Sequence, residues 1–506
     1  MFPIKNILKT MHTFSRNIIT PLLHSLTAYK EKNAFFIEDK YYTYEDLSKS
    51  ISRIRQAIRP LTSRYVGLVA NNDLDTYASI FALWLEGKCY VPLHPFQPLE
   101  RCLDIISQVQ MNVILDSSKT TRYIDGTIIM TSDLNFDGYD ITEYTEYPET
   151  DDAYLLFTSG STGRPKGVPL MRGNLAAFVD AFLSLDYQLD CNDRCLQMFD
   201  LTFDLSVQSY LIPMLVGACA YTVPSNTVKY MKVFELLDEY RLTFALMVPS
   251  IIHYMRPYMD EITVDEMRYS IFCGEALLVD DTQAWSHSVP NARIDNLYGP
   301  TECTIYCTVY HFKPDIINKS VSGALCIGKA MKHTHCIIVN DKNEEVSSGG
   351  QGELCLSGEQ LTKGYWNNPQ KNAEAFFEKD GIRYYRTGDL CAADDDGDIL
   401  YYGRIDFQVK IQGYRVELGE IEERSRVFMG GQTNAVAVVT KNITGNDVLS
   451  LYIESETVDT VPLIEYLKTK LPSYMIPASV CCIQHFPLNA NGKIDRKQLS
   501  TYSPQQ

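Results

Sequence analysis

Between residues 65 and 300 the chain alternates short apolar segments with longer segments whose apolar residues recur at helical spacing. The segment YVGLVA (65–70) precedes LDTYASIFALWLEG (74–87), and the same alternation repeats from 172 to 300. Strands that alternate with helices in this way form largely parallel sheets covered by helices. We therefore predict an α/β body made of two similar layered lobes.

The rest of the chain predicts two smaller units. From 321 to 403 the sequence changes to short strands joined by Gly-rich turns, which is typical of a β-rich subdomain. After Arg404 a compact α+β module is expected, and we place its boundary and hinge at Asp406. Residues 1–405 would then form a core and residues 406–506 a mobile cap, because 506 residues are too many for one compact core. We expect the ligand in the crevice between them.

Composition narrows the choice of partners. The net charge of −17 argues against nucleic acid and anionic membranes, and no apolar run is long enough for membrane insertion. Fourteen cysteines without a repeating framework are typical of reduced thiols, so a cytoplasmic location is expected. We also expect a monomer. The basic first 30 residues suggest a transit peptide or an amphipathic helix, and we favour the helix because no cleavage-site pattern follows.

A loop rich in glycine and hydroxyl groups follows a short apolar strand at 153–157. It comprises Thr158, Ser159, Gly160, Ser161, Thr162 and Gly163, and Lys166 follows it. Glycines let the backbone approach a ligand closely, successive N–H groups bind anions, and a lysine supplies a point charge for phosphate. The spacing differs from that of the P-loop NTPases. A flexible linker is the alternative, but a strand precedes this loop and Pro-Lys-Gly ends it, which favours a phosphate-binding site.

Eight segments occur in an order and spacing that resembles the adenylate-forming enzymes, in particular the adenylation domains of non-ribosomal peptide synthetases and the stand-alone D-alanine–carrier protein ligases. They are LLFTSGSTGRPKG (155–167), FDLSV (203–207), FCGEAL (272–277), NLYGPTE (296–302), GELCLSG (352–358), YRTGDL (385–390), GRIDFQVKIQGYRVELGEIE (403–422) and NGKIDRKQL (491–499). His94 departs from the family, which usually has aspartate there. The resemblance covers nearly the whole chain from about residue 25 and implies the fold of that family.

The resemblance also implies an ATP site. Tyr298 would present a flat face to adenine, and Asp389 would accept hydrogen bonds from the ribose hydroxyls. Glu302 would bind Mg²⁺, a hard cation that prefers carboxylate oxygens. The remaining nucleotide contacts implied by the family are the loop already described together with Gly274, Asn296, Gly299 and Arg404.

Acyl-adenylate formation brings two anions together, the substrate carboxylate and the α-phosphate of ATP, and needs no protein nucleophile. Catalysis therefore depends on positioning and charge neutralisation. The resemblance implies that Lys493 reaches from the cap to both anions, that Thr301 hydrogen-bonds them, and that Lys166 holds the leaving pyrophosphate. Rotation about Asp406 would then withdraw Lys493 and admit a thiol for the second step.

Asp204 in FDLSV indicates the kind of acid that is activated. In the amino-acid-activating branch of the family this aspartate pairs with the substrate's α-ammonium, and a carboxylate in an apolar pocket is costly until such a cation arrives. An N-cap of the helix predicted at 204–217 is the plainer alternative, and one residue could serve both roles. Aligning the motifs lines the pocket further with Leu205, Gln208, Met247, Ile271, Cys273, Leu297, Ile305 and Tyr306. Most are bulky and apolar, so alanine is the favoured substrate and proline the next.

The sequence therefore predicts an ATP- and Mg²⁺-dependent ligase that passes a small amino acid to the phosphopantetheine thiol of a separate carrier protein, because no LGGxS-like attachment site occurs in the chain. An acyl- or aryl-CoA ligase of the same fold is the alternative, and Asp204 argues against it. A non-catalytic nucleotide-binding protein is a third possibility. The presence of Lys166, Glu302, Asp389 and Lys493 argues against that one.

Overall fold

A computed structural model of the protein describes residues 12–136, 138–141, 144–160, 164–225, 227–406, 408–430, 433–442, 446–487 and 494–501. The predictions for Ser161, Thr162, Gly163 and Lys493 fall outside these described residues. A helical turn at Ser15–Ile19 continues into α1 (Thr20–Ala28). Ile18, Leu22 and Leu26 are buried along one side of this segment, which confirms the predicted amphipathic helix.

The first lobe is a six-stranded sheet in the order β6-β5-β3-β4-β7-β8, parallel except for β8. Its helix α2 starts with a capping box, because Thr43 Oγ1 accepts from Asp46 N at 3.1 Å and Thr43 N donates to the Asp46 carboxylate at 2.9 Å. The elements of this part of the chain are β1 (Asn33–Ile37), β2 (Lys40–Thr43), α2 (Tyr44–Ile58), β3 (Tyr65–Val69), α3 (Leu74–Leu85), β4 (Cys89–Leu93), α4 (Leu99–Val109), β5 (Val113–Asp116), β6 (Thr127–Met130), β7 (Asp152–Thr158) and β8 (Lys166–Met171).

The second lobe is a nine-stranded sheet in the order β17-β14-β13-β12-β11-β9-β10-β1-β2. The early strand β1 pairs in parallel with β10, so the N-terminal hairpin belongs to the second lobe although it precedes the first in sequence. The elements are α5 (Arg172–Leu183), β9 (Arg194–Gln197), α6 (Asp204–Val216), β10 (Cys219–Thr222), α7 (Lys229–Glu239), β11 (Phe244–Met247), α8 (Ser250–Met255), β12 (Tyr269–Phe272), α9 (Val279–Ser288), β13 (Arg293–Tyr298), β14 (Thr308–Phe312), β15 (Ser320–Val321), β16 (Ala324–Leu325) and β17 (Lys329–Ala330).

A five-stranded antiparallel sheet follows, in which β19 and β21 form the centre. The turn at Asp396-Gly397 between its last two strands places Gly397 at a φ of 81°, where glycine is favoured. The elements are β18 (Thr334–Val339), β19 (Gly352–Gly358), α10 (Pro369–Ala375), β20 (Phe376–Lys379), β21 (Ile382–Ala393) and β22 (Ile399–Arg404).

The C-terminal module has a hydrophobic core of its own. Ile411, Val416, Ile421 and Leu467 belong to a buried cluster that is separate from the cluster of the body. The hairpin β23–β24 projects from this module towards the body. The elements are β23 (Gln408–Ile411), β24 (Tyr414–Glu417), α11 (Leu418–Phe428), β25 (Ala435–Lys441), β26 (Asp447–Glu454), α12 (Thr460–Lys470), β27 (Ser479–Ile483) and α13 (Arg496–Ser500).

All fourteen cysteines are free thiols. Within the part of the chain that the structure describes, no helix combines the length and apolar character needed to cross a bilayer. The α/β lobes, the β-rich sheet and the α+β module confirm the predicted fold class.

Candidate active site

A cleft of about 910 Å³ lies between the body and the C-terminal module and is lined by both. Strands β11, β12 and β13 are parallel, and their carboxyl ends at Met247, Phe272 and Tyr298 point towards the cleft, as expected for ligand sites of open α/β sheets. Twelve of the predicted site residues line it: Thr158, Ser159, Asp204, Leu205, Cys273, Gly274, Tyr298, Gly299, Thr301, Ile305, Asp389 and Arg404.

One end of the cleft carries a connected polar group. Strand β21 pairs with β22 so that Asp389 faces Arg404, and their side chains form an ion pair at 3.0 Å. The Tyr298 hydroxyl donates to the other oxygen of Asp389, and burial raises the pKa of Tyr298 well above its usual value, so the phenol keeps its proton. Gly274 follows β12 with a φ of 100°, a conformation that favours glycine. This end has the aromatic face and the oriented carboxylate expected of a nucleoside site.

Asn296 lies elsewhere. Its side chain is buried, does not line the cleft, and donates from Nδ2 to the carbonyl oxygen of Cys326 at 2.9 Å. The amide therefore contacts the loop around Cys326, and the structure does not bring it to the part of the cleft that Tyr298 lines.

The glycine-rich loop leaves β7 and returns in β8, where Thr158 pairs with Lys166. A Cβ on Gly160 would lie 2.0 Å from the carbonyl oxygen of Arg164, so this tight return requires glycine. Lys166 is buried, and its Nζ lies 3.0 Å from Glu417 Oε1. Burial, together with the nearby Arg415 guanidinium, lowers the pKa of Lys166.

Glu302 lies beside this loop and is fully buried. Arg415 Nη1 contacts both of its carboxylate oxygens, at 3.0 and 2.9 Å, and the Tyr365 hydroxyl donates to Oε1 at 2.6 Å. Burial alone would raise the pKa of Glu302, but the Arg415 guanidinium and the Tyr365 hydroxyl outweigh it and hold the pKa at about 2. An anionic carboxylate fits Mg²⁺, but in this arrangement it is bound by arginine.

The residues of the C-terminal module that contact Lys166 and Glu302 were not predicted as site residues from the sequence. Arg415, Glu417 and Glu420 lie on or directly after the hairpin β23–β24 of the C-terminal module. Ser159 Oγ donates to the carbonyl oxygen of Arg415 at 2.8 Å, and Gly160 N donates to Glu420 Oε2 at 3.2 Å. The signal was present in QVKIQGYRVELGEIE, where charged residues recur on both strands of a short hairpin and at the start of a helix.

Arg404 links the cleft to the predicted hinge. Its Nη2 donates to Asp406 Oδ2 at 2.5 Å, and Asp406 Oδ1 accepts from Gln408 N at 3.1 Å. Asp406 thus lies at the junction of β22 and β23, where the body ends and the projecting hairpin begins.

Asp204 also lines the cleft. It is the first residue of α6, Phe203 holds the N-cap position, and no side chain caps that helix. The N-cap alternative is therefore wrong, because the Asp204 carboxylate is inside the helix start and turned to the cleft. The side chain is buried; burial raises its pKa to about 6, against a hydrogen bond with Thr301. Among the ion pairs of the described residues, none includes Asp204.

The predicted pocket residues divide into two groups. Leu205, Cys273 and Ile305 line the cleft together with Asp204. The second group is buried behind that wall and consists of Gln208, Met247, Ile271, Leu297 and Tyr306. Neither amide atom of Gln208 nor the hydroxyl of Tyr306 has a hydrogen-bond partner among the described residues. The wall next to Asp204 is thus apolar, with polar groups directly behind it.

The sequence and the fold of this chain are similar to those of known proteins. Residues 22–366 match the family model described as AMP-binding enzyme. D-alanine–D-alanyl carrier protein ligase of Bacillus licheniformis is 30% identical over 482 residues, which cover 92% of this chain and 95% of that protein. Tyrocidine synthase 1 of Brevibacillus parabrevis is 30% identical over 488 residues, and the chain spans 44% of its length. The crystal structure of the Vibrio cholerae adenylation domain AlmE in complex with glycyl-adenosine-5'-phosphate superposes with a TM-score of 0.86 at 27% identity, covering 99% of both chains.

Proposed function

Because this chain belongs to the AMP-binding family of adenylate-forming enzymes, we propose that it activates a small neutral amino acid with ATP and Mg²⁺ and passes it to the phosphopantetheine thiol of a separate carrier protein. Alanine is the favoured substrate, in either hand, and proline the next. The first product is aminoacyl-AMP, released with pyrophosphate.

One observation carries the amino-acid part of the proposal. Asp204 is a buried carboxylate on the wall of the cleft, no ion pair of the described residues includes it, and its pKa is raised to about 6. A buried carboxylate without a cation is costly. A ligand that brings an ammonium group would supply that cation, which a fatty or aryl acid lacks.

The nucleotide part is supported by a second group of residues in the cleft. Tyr298, Asp389 and Arg404 form the group that would receive adenosine. Lys166 and the backbone of the glycine-rich loop would hold pyrophosphate. Glu302 would hold Mg²⁺, which when bound supplies positive charge to the phosphate oxygens.

The hairpin β23–β24 must move before the aminoacyl-AMP can form. Glu417 binds the Lys166 ammonium and Arg415 binds the Glu302 carboxylate, so both groups must be released before they contact ATP and Mg²⁺. Rotation of the cap about Asp406 would withdraw the hairpin and bring Lys493 to the reacting anions. The return rotation would restore the present arrangement and admit the carrier's thiol.

The relatives support the second step. D-alanine–D-alanyl carrier protein ligase of Bacillus licheniformis aligns along nearly its whole length. The ligand in the structure of AlmE is glycyl-adenosine-5'-phosphate, an adenylate of a small amino acid. A small amino acid and a carrier protein are accordingly proposed for this chain as well.

ATP–pyrophosphate exchange across the amino acids and their D-forms tests the proposal. We expect alanine to support exchange and propionate, which is alanine without its amine, to be at least a hundredfold weaker. Exchange driven equally well by propionate, or by fatty or aryl acids alone, would favour the acyl- or aryl-CoA ligase. Carrier loading is then followed by the mass of candidate carriers, with the carrier lacking phosphopantetheine as the matched control.

A further inference from the structure

A cluster of two histidines and two carboxylates lies away from the cleft, where the N-terminal segment meets the body. His12 Nε2 lies 2.8 Å from Glu359 Oε2, and His333 Nε2 lies 2.6 Å from Asp180 Oδ2. His333 Nδ1 is 3.8 Å from Glu359 Oε1, and the two imidazole rings are 4.3 Å apart between centroids. The two histidines and Asp180 are partly buried, and the proposed site of adenylation uses none of the four.

We propose that His12, Asp180 and His333 bind a zinc ion, with Glu359 orienting the His12 ring. Zinc in proteins is bound by imidazole nitrogens and carboxylate oxygens in a tetrahedral arrangement. A histidine that binds zinc usually donates its other ring N–H to a carboxylate, which fixes the ring and its tautomer. His12 has that second interaction already, through Nε2 and Glu359.

The distances allow closure onto one ion by side-chain movement. One ligand atom from each of His12, Asp180 and His333 lies within 4.8 Å of the other two. A tetrahedral zinc ion with ligands at about 2.0–2.2 Å separates neighbouring ligand atoms by about 3.3–3.6 Å. The farthest of these atoms need to approach by up to about 1.2–1.5 Å, and His333 Nε2 and Asp180 Oδ2, now 2.6 Å apart, need to separate by about 0.7–1.0 Å. Both changes are within the reach of small rotations about side-chain bonds.

The backbones that carry these residues belong to well-held elements. Asp180 lies in α5, and His333 lies in the turn before β18. Glu359 follows β19 directly, where its N–H donates to the carbonyl oxygen of His333 at 2.9 Å. His12 precedes the N-terminal helical segment, and Phe14 N donates to Glu149 at 3.0 Å two residues later. An ion here would fasten the N-terminal segment to the junction of the second lobe and the β-rich sheet.

A lysine now supplies positive charge to the cluster. Lys332 Nζ lies 2.5 Å from Asp180 Oδ2, and its side chain is 52% exposed. A metal ion can readily displace an exposed ammonium. The two imidazoles and two carboxylates also offer more ligand atoms than one lysine can pair with. Lys332 is therefore a competitor for the ion, which makes it a useful position for a test.

The experiment uses the full chain, freed of metal with a chelator and titrated with Zn²⁺ against a chromophoric chelator, and separately with Co²⁺ followed by visible absorption. We expect one equivalent of ion and a cobalt spectrum of tetrahedral intensity without the charge-transfer band of a thiolate ligand. His12→Ala and His333→Ala should each raise the Kd at least tenfold. His335→Ala, an exposed histidine on the neighbouring β18, is the matched control and should leave the Kd unchanged.

Lys332→Gln keeps all four side chains of the cluster and should lower the Kd about threefold or more, so the inference does not depend on histidine variants that fold poorly. Hydrogen exchange gives a second measurement: zinc should slow exchange of the amides of 15–28 in the wild type and leave it unchanged in His333→Ala. The inference is overturned if no equivalent binds, if binding shows a thiolate band, if His335→Ala weakens it as much as His333→Ala, or if Lys332→Gln has no effect.

Discussion

Two buried carboxylates, Asp204 on the wall of the cleft and Glu302 behind Arg415, have pKa values displaced in opposite directions. Burial acts on both in the same sense, but Arg415 and Tyr365 outweigh it at Glu302, whose pKa falls to about 2, whereas at Asp204 burial prevails and the pKa rises to about 6. Arg415 pairs directly with Glu302, whereas no ion pair of the described residues includes Asp204, on which the charge of Lys410 acts less than burial does. A charge that is already paired must be released before a ligand uses it, and a charge left unpaired favours a ligand that brings its partner.

The largest effect on stability is expected at the paired carboxylate. Glu302→Gln removes the carboxylate that pairs with the partly buried Arg415 guanidinium, and breaking a largely buried pair in this way costs about 3–5 kcal/mol. The folded-state pKa of Glu302 is depressed, so its contribution is present above the unfolded-state pKa near 4.5 and is lost as the pH falls through about 2. Urea unfolding at pH 7 measures the loss. An unchanged free energy of unfolding would show that the pair contributes nothing.

The unpaired carboxylate should show its effect in catalysis. Asp204→Asn removes the charge that would meet the substrate's ammonium, and truncating one partner of such a buried pair costs about 2–5 kcal/mol. We therefore expect kcat/KM for alanine in pyrophosphate exchange to fall by about 10²- to 10³-fold, with little change in the KM for ATP. Equal losses for alanine and propionate would contradict the pairing.

The same Asp204→Asn variant should be more stable than the wild type in the absence of ligand, by about 1–3 kcal/mol at pH 7. The folded-state pKa of Asp204 is raised to about 6 from its usual 3.8, so burying the charge costs stability at neutral pH. The gain in the variant should shrink as the pH falls through about 6 towards 4, because the wild-type carboxyl is then protonated. Unfolding at pH 7 and pH 4.5 compares the two proteins; a gain that grows at low pH would be the wrong sign.

The smallest effect is expected from Glu417→Gln. It weakens the hold of the hairpin on Lys166 and should lower the KM for ATP in exchange about tenfold, which corresponds to about 1.4 kcal/mol. Glu423→Gln, which removes the partner of Arg426 on the outside of α11, is the matched control and should leave that KM unchanged. A raised KM in Glu417→Gln would mean that Glu417 assists ATP binding instead of competing with it.

Local sequence patterns were enough to predict most of the elements. Strand and helix segments are separated by clear breaks, and the capping box at Thr43 could be recognised because it depends on residues three positions apart. The pairing of β1 with β10 could not be predicted, since its partner lies about 185 residues away and no local signal selects it. The N-cap alternative for Asp204 was wrong by one position, because Phe203 occupies the N-cap of α6.

The residues of the candidate site were predictable where they belong to a sequence motif. They were less predictable where their contacts depend on how the C-terminal module packs against the body. Tyr298 and Asp389 lie in the cleft in contact with each other, whereas Asn296 turns to Cys326. The contacts of Arg415 and Glu417 depend on where the C-terminal module rests against the body. Charge alone in a hairpin does not reveal which surface that hairpin meets.

The side-chain amide of Gln208 has no hydrogen-bond partner among the described residues. This bears on how the substrate specificity of the enzyme could change. Gln208 lies one helical turn beyond Leu205 on α6, directly behind the wall of the pocket. Burying such a polar group without a protein partner costs about 1–3 kcal/mol. Trimming Leu205 would expose the amide to an incoming hydroxyl or carboxamide and offset that cost, so a single substitution offers evolution a short path from the proposed alanine to serine, threonine or asparagine.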